Sequence, residues 1–328
     1  MKRREFITLL GGTAAAWPLA ARAQKPPPLI GFLGNQPPLG APQNHPQGNA
    51  LVQGFRDNGL VIGRDVVFEP HFTGGDDALF PVFARELAQK KVRMILANTP
   101  AGVRAAQHLD PPVPVLMVGM TDPVREGLVA SLARPGGHTT GTASLNTDLT
   151  PKLLEFLREI FPKATVLAVI FNPSNPTNPV LMDNLRAKAS PLGITVLPFP
   201  ATSPGDFDVV FPELVARHPD ALQVIGDPLL SDLGHRITEL ALANGLPTFT
   251  NNEWSVENSG LIGYGASSRK VLYRMGYYVK KILDGANPGD LPVEQPTKIE
   301  LIINLKTAKT LGIEISPTLL IRADRVIE

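Results

Sequence analysis

The stretch "LAVIFNPSNPTNP", Leu167 to Pro179, joins an apolar run rich in β-branched residues to a segment of asparagines and prolines. The run predicts a buried strand that ends at Asn172. Proline suits the first turn of a helix, and the residue before a proline is held in the extended conformation of a capping residue. The stretch therefore predicts a strand, a short polar loop and the start of a helix.

The same arrangement recurs at three other places in the chain. The stretches "ILANTPAG", "MVGMTDPV" and "VIGDPLLSD" each end an apolar run at a polar residue before proline, namely Thr99, Asp122 and Asp227. Each side chain has two open interpretations, as a cap for its own helix or as a ligand contact. Because ligands of open parallel sheets bind at the carboxyl ends of the strands, the four stretches together predict a ligand cleft.

Short apolar runs alternate with amphipathic segments from Pro28 onward, which is typical of βαβ units and a parallel sheet. Several predicted helices end in glycine followed by an apolar residue, a common way to close a helix. The predicted strands span residues 29–34, 65–72, 92–97, 113–119, 165–171, 194–199, 221–226 and 246–250. Predicted helices include residues 77–89, 152–161, 231–244 and 269–284.

Two segments rich in Gly, Thr and Ser, residues 131–151 and 257–270, interrupt this alternation. They fit two crossings between two α/β lobes, each with a Rossmann-like parallel sheet, joined by a hinge. The predicted first lobe contains residues 28–145 and 266–328, and the second contains residues 146–265. The alternative is that both segments are surface loops of a single large sheet.

The first 23 residues have the features of an export signal, with a basic start, an apolar stretch and small residues at Ala21 and Ala23. The sequence "RREFI" from Arg3 resembles the core of a twin-arginine signal, and the alternatives are an ordinary Sec signal or an amphipathic helix. Cleavage after Ala23 would leave a slight excess of acidic residues. The sequence therefore predicts a periplasmic protein that does not bind nucleic acid or anionic membranes.

Composition and spacing argue against disulfides, metal sites and catalysis. The chain has no cysteine, and its six histidines never stand four residues apart or beside a pair of carboxylates. The segment "GFLGNQ", residues 31–36, lacks the third glycine of a dinucleotide-binding loop, and no G-x-S-x-G motif occurs. We therefore expect no enzyme activity, no cofactor and no metal.

Four segments carry a specific resemblance: residues 54–69, 127–141, 226–230 and above all 291–328. With them, the chain from about Leu29 to its end resembles the extracytoplasmic substrate-binding proteins of ABC transporters, of the tryptophan/tyrosine type. The resemblance implies a type I periplasmic-binding-protein fold, in which two lobes close about a hinge on a small solute. It also implies delivery of that solute to an ABC permease in the inner membrane.

This resemblance, together with the strand ends, suggests the ligand-binding residues. They are Asn35, Thr99 and Asp122 of the first lobe and Asn172, Asn175, Asp227, Glu253 and Tyr264 of the second. Backbone donors after Thr99 and Asn172 would hold a carboxylate, and Asp122 or Asp227 an ammonium group. For Tyr264, and for Phe72, stacking on an aromatic solute and packing in the core both stay open.

Two other functions fit the same pattern. One is a periplasmic sensing module that presents its closed form to a membrane receptor instead of a permease. The other is a hydrolase or isomerase on the same two-lobed body, which would turn over the bound solute. A monomer suits each of them, because the lobes must move.

Overall fold

The structure is a computed structural model and describes residues 26–35, 46–144 and 149–328. The predicted export signal, residues 1–23, lies outside the described residues. The described strands are β1 Leu29–Gly34, β2 Val67–Phe72, β3 Met94–Ala97, β4 Val115–Met120, β5 Thr139–Ala143, β6 Val166–Phe171, β7 Thr195–Pro200, β8 Ala221–Val224, β9 Thr248–Thr250, β10 Ile262–Ala266, β11 Ile299–Asn304 and β12 Arg325–Ile327. The described helices are α1 Pro46–Asp57, α2 Phe80–Gln89, α3 Pro100–Gln107, α4 Leu153–Ile160, α5 Thr177–Ala189, α6 Phe207–Ala216, α7 Pro228–Asp232, α8 Gly234–Ala243, α9 Glu253–Asn258, α10 Ser268–Leu283, α11 Leu305–Leu311 and α12 Pro317–Arg322.

The first lobe is built on a sheet of five parallel strands in the order β2-β1-β3-β4-β5. One face of this sheet packs against α2 and α3, where Phe80 and Leu87 are fully buried. The other face packs against α1 and α10 through Phe55 and Tyr278. Burial on both faces explains why its central strands are nearly continuous apolar runs.

The second lobe has seven strands in the order β12-β11-β10-β9-β8-β6-β7. Strands β6 to β10 pair in parallel, whereas β11 pairs with β10 in antiparallel orientation. Helices cover both faces, with Leu185 and Leu319 in the core of one face and Phe207 and Ile237 in the core of the other. The predicted fold class, two α/β lobes with mostly parallel sheets, is confirmed.

Within the residues that the structure describes, the chain passes between the lobes three times, not twice as the sequence suggests. The passages lie between β5 and α4, between β10 and α10, and between residues 293 and 299. Assignment of all of residues 266–328 to the first lobe is therefore wrong. Helix α10 packs on the first lobe, but β11 pairs with β10, placing Ile303 opposite Ile262, and β12 pairs with β11. Residues 299–327 thus complete the second lobe.

Helix α10 rejoins the first lobe through a close crossing with α1. A Cβ atom added to Gly276 would overlap the backbone carbonyl of Gly54, and one added to Gly54 would overlap the carbonyl of Tyr273. Glycine at both positions therefore allows the two backbones to touch. This contact anchors the returning chain at the back of the first sheet.

Substitution of Gly276 by alanine should lower the free energy of unfolding by about 1–3 kcal/mol, because the added methyl group forces the two helices apart. Chemical denaturation measures this change. Gly205→Ala is the matched control, since a Cβ there meets no atom closer than 3.9 Å. Equal losses in the two variants would contradict the close crossing.

Candidate functional site

A cleft of about 1100 Å³, including solvent at its mouth, lies between the two lobes at the carboxyl ends of their strands. Asn98, Thr121 and Ser144 line it from the first lobe, after β3, β4 and β5. The second lobe contributes residues that follow β6, β8 and β9, and the start of α10 lines the cleft beside the passage from β10. The cleft predicted from the strand ends is therefore present.

Asp227 is the central charged residue of the cleft. It follows β8 and caps α7, where its carboxylate accepts a hydrogen bond from the backbone of Leu230. The Asn175 amide donates to it at 2.8 Å and the Asn172 amide donates at 3.4 Å. With the residue only 5% exposed, burial raises the pKa of the Asp227 carboxyl, and these hydrogen bonds oppose that effect. A positive group placed in the cleft would favour its charged form.

Further acidic groups stand near Asp227. Asp232 also lines the cleft, and the described lining residues include no Lys or Arg. Asp77, of the first lobe, has a carboxyl pKa that is raised by burial and further by the charge of Asp227. The cleft therefore has a negative potential that favours a solute with a positive group.

Thr99 bears out the capping interpretation, whereas Asn172 does not cap the helix that follows it, since α5 begins at Thr177 without a side-chain cap. The Thr99 hydroxyl accepts from the backbone of Gly102 at 2.9 Å and so caps α3. Asn172 accepts from the backbone of Ser174 at 3.0 Å while its amide points to Asp227. Asn172 therefore positions Asp227 without lining the cleft, whereas Asn175 and Asp227 themselves line it.

Two other predicted residues of the first lobe, Asn35 and Asp122, are outside the lining of the cleft. The buried Asn35 side chain accepts a hydrogen bond from the Thr73 hydroxyl at 3.2 Å. Asp122 accepts from the backbone of Arg125 and lines a separate pocket of about 530 Å³ between the lobes. We therefore leave both residues out of the proposed ligand set.

That second pocket contains a direct contact between the lobes, which we call the latch. Glu126 of the first lobe accepts a hydrogen bond from the Thr177 hydroxyl, at the start of α5, at 2.6 Å. Burial raises the pKa of the Glu126 carboxyl, and the bond from Thr177 acts in the opposite direction. Its other carboxylate oxygen is buried without a hydrogen-bond partner in the described part of the chain. The latch requires the lobes to be close together.

Glu253 and Tyr264 also lie outside the cleft. Glu253, 4% exposed, accepts hydrogen bonds from the Ser267 hydroxyl and from the backbone and guanidinium of Arg269. Tyr264 packs in the core of the second lobe, with its ring 5.2 Å from that of Phe156. Glu253 is therefore part of the connection between the lobes at the start of α10, Tyr264 is a packing residue, and neither is kept in the proposed ligand set.

Residues that the sequence analysis missed contribute to the lining. Asn98 directly follows the predicted strand 92–97, so its position was a usable signal, whereas Ser144 follows a strand that was not predicted. Among the described residues, Asn98 Oδ1 and Ser144 Oγ are buried and have no hydrogen-bond partner. Both can serve a polar solute.

Neither a metal site nor a membrane span emerges from the parts of the chain that the structure describes. In those parts, no three His, Cys, Asp or Glu side chains are grouped so that they could hold a metal ion. None of the described helices combines the length and the apolar character needed to cross a membrane.

A family model described as ABC transporter substrate binding protein matches residues 41–327. The chain belongs to the ABC transporter substrate-binding protein family. This finding confirms the resemblance seen in the sequence. The family consists of solute-binding proteins, so the expectation that the chain is not an enzyme is also confirmed.

Named relatives of this substrate-binding protein agree with the family. The Tyrosine-binding protein of Clostridioides difficile strain R20291 is 28% identical over 275 residues, covering 82% of this chain and 79% of that protein. A Streptococcus pneumonia domain solved in complex with L-Trp is 21% identical, with a TM-score of 0.77 over 92% of this chain and all of that one.

A third relative was solved in another state. It is the ligand-free, open structure of a substrate-binding protein with adhesive properties from Clostridium difficile. It is 26% identical, covers 92% of this chain and 99% of its own, and has a TM-score of 0.59.

A network of charged side chains lies where β10 of this substrate-binding protein passes to α10. Arg269 donates to Glu253 at 3.0 Å and to Glu257 at 2.7 Å, and Arg325 pairs with Glu257 at 2.6 Å. The Arg269 guanidinium also lies 3.9 Å from the centre of the Trp254 ring. The network joins the start of α10 to α9 and to the C-terminal strand, and thereby fixes one passage of the chain at the second lobe.

Replacement of Arg269 by methionine should lower the free energy of unfolding by about 3 kcal/mol, because Glu253 would keep a buried charge without its main partner. We take the low end of the range for buried pairs since the Arg269 side chain is 33% exposed. Thermal unfolding measures the loss. The control is Arg322→Met, which breaks an exposed pair with Glu159 and should cost at most about 1 kcal/mol. A smaller loss at Arg269 than at Arg322 would contradict this role.

Proposed function

We propose that this protein is the extracytoplasmic solute-binding component of an ABC importer. It captures an amino acid, or a related carboxylate with an ammonium group, by closure of the two lobes, and delivers it to an inner-membrane permease. The observation that carries the proposal is Asp227, a buried carboxylate that lines a cleft between the lobes and is held by two asparagine amides.

The chemistry of the cleft suits a zwitterion. Asp227 binds the ammonium group, which compensates the cost of burying its charge. The carboxylate binds at the Ser144 hydroxyl, which lines the cleft, because the backbone N–H of Gly102 at the start of α3 already donates to Thr99. Tyrosine and L-Trp, the ligands named for two relatives, are amino acids that carry both groups.

Contacts between the lobes support capture by hinge closure. The Glu126–Thr177 latch joins them on one side. On another side, Gly75 of the first lobe lies so close to the second that a Cβ added to it would stand 3.1 Å from the carbonyl oxygen of Thr202. The modest TM-score of 0.59 against the ligand-free, open relative agrees with a different lobe arrangement in this chain. A solute that touches both lobes binds the closed form better and shifts the population toward it.

Export and assembly complete the proposal. Residues 1–23 direct the chain to the periplasm, by the twin-arginine route, and are removed near Ala23. The mature protein acts as a monomer, because a clamp of two moving lobes needs no second copy.

Thermal unfolding with a panel of solutes tests the proposal. A ligand present at about 100 times its dissociation constant stabilises the native state by about 2.7 kcal/mol, which raises the melting temperature by several degrees. We expect shifts with L-amino acids, and no shift with the same compounds lacking the amino group. Bound solute should be recovered unchanged after denaturation. Equal shifts with and without the amino group, or conversion of the solute, would contradict the proposal.

A further inference from the structure

The apolar wall of the cleft consists of aliphatic side chains. Val118 contributes from β4, Val224 from β8 and Leu230 from α7. Val271 and Leu272, in the first turn of α10, are half-buried and form the part of the wall beside the hinge. Together they offer a solute a branched aliphatic surface from both lobes and from the hinge.

The aromatic residues near the site are engaged elsewhere. The Phe72 ring lies 5.9 Å from that of Phe32, and the Tyr264 ring packs on Phe156 in the second lobe. No aromatic residue occurs among the described lining residues. The two internal segments outside the described residues, 36–45 and 145–148, contain no Phe, Tyr or Trp in their sequence.

We infer that the solute carries an aliphatic body rather than an aromatic ring. This inference rests on the proposed function, since it concerns the side chain of the same ammonium-bearing solute. An aromatic partner stabilises a bound ring by about two- to tenfold in affinity beyond the area it buries. An aliphatic wall stabilises a bound group only through burial and dispersion. A saturated group gains as much from both as an aromatic ring of equal size does.

The inferred aliphatic solute of this chain differs from the ligands named for two of its relatives. Tyrosine and L-Trp, the ligands named for the Clostridioides difficile and Streptococcus pneumonia proteins, both carry aromatic rings. The shared feature would be the ammonium group at Asp227. The difference would be the wall formed by Val118, Val271 and Leu272, which sets the side-chain class.

A matched pair of solutes tests the inference with the intact mature protein. L-Cyclohexylalanine and L-phenylalanine share a carbon skeleton and differ in saturation of the ring. In titration calorimetry we expect the saturated compound to bind at least as tightly, and L-leucine to bind more tightly than L-tyrosine. Phenylalanine binding more than about twofold tighter than cyclohexylalanine would overturn the inference and leave the proposed function intact. Failure of every amino acid to bind would overturn both.

A variant provides an independent readout. Leu272→Phe adds a ring to the wall, and should shift the phenylalanine-to-cyclohexylalanine affinity ratio by about two- to tenfold toward phenylalanine. The control is Val209→Phe, which adds the same ring on the outer face of α6, where the residue is 71% exposed. An unchanged ratio in a folded Leu272→Phe protein would overturn the inference. If that variant does not fold, the affinities of the unmodified protein for cyclohexylalanine and phenylalanine test the inference.

Discussion

Substitution of Asp227 by asparagine is expected to weaken binding of the amino acid by about 100-fold or more. Removal of one partner from a buried, hydrogen-bonded charge pair costs about 2–5 kcal/mol, and about 2.8 kcal/mol corresponds to 100-fold. The fold should remain, since asparagine has the same shape and removes the cost of burying a charge. The raised pKa of the Asp227 carboxyl indicates that cost. Calorimetry gives the affinity and thermal unfolding gives the stability.

Asp122→Asn is the matched control for this variant. Asp122 also stands before a proline at a strand end, yet it lines the second pocket and not the cleft. We expect it to change the affinity by less than about threefold, as is usual for a charge that does not contact the ligand. A larger loss at Asp122 than at Asp227 would show that the ammonium group binds in the second pocket instead.

Substitution of Thr177 by valine is expected to weaken capture of the solute by about tenfold or more. Valine keeps the shape of threonine but removes the hydroxyl, so Glu126 would be buried in the closed form without its hydrogen bond. A buried polar group left unpaired costs about 1–3 kcal/mol. We expect Glu126 to be exposed to water when the lobes separate, so the cost would fall on closure and the apparent affinity would drop with the closed population.

Two comparisons check that the effect arises from the latch. Thr177→Ser keeps the hydroxyl and should bind the solute nearly as well as the unmodified protein. At saturating solute, small-angle scattering should give the same radius of gyration for the unmodified protein and for both variants. The solute concentration at half-saturation should be higher only for Thr177→Val. Equal affinities of the valine and serine variants would exclude a role for this hydrogen bond in closure.

Much of the fold could be predicted because its signals are local. Apolar runs that end at a polar residue and proline marked β3, β6 and β8 correctly, and placed the cleft at their carboxyl ends. Strand β5, "TTGTA", was interpreted as part of a lobe crossing, since it lacks a long apolar run although its threonines are buried. The pairing of β11 with β10 depends on contacts about 40 residues apart, which no local pattern reveals.

The positions of single residues in the site also depend on features that a local sequence pattern does not reveal. Asp122 and Asp227 share a local pattern, but the register of β4 shifts between Met117 and Met120, where Gly119 has a φ of +68°. The segment after β4 therefore takes a different path, and Asp122 lies in the second pocket. Glu253 follows a strand end as predicted, but its partner Arg269, 16 residues later in the chain, holds it at the start of α10.

The three passages between the lobes have a consequence for synthesis of the chain. The first lobe lacks α10, with its contact to α1, until about residue 283 has been made, and the second lacks β12 until residue 327. The second lobe therefore cannot finish folding before synthesis of the chain is nearly complete, and the first lobe cannot do so before α10 has been made, whereas N-terminal domains of many proteins fold earlier during synthesis. A chain truncated by thirty residues at its C-terminus would lack β11 and β12, two strands of the second sheet.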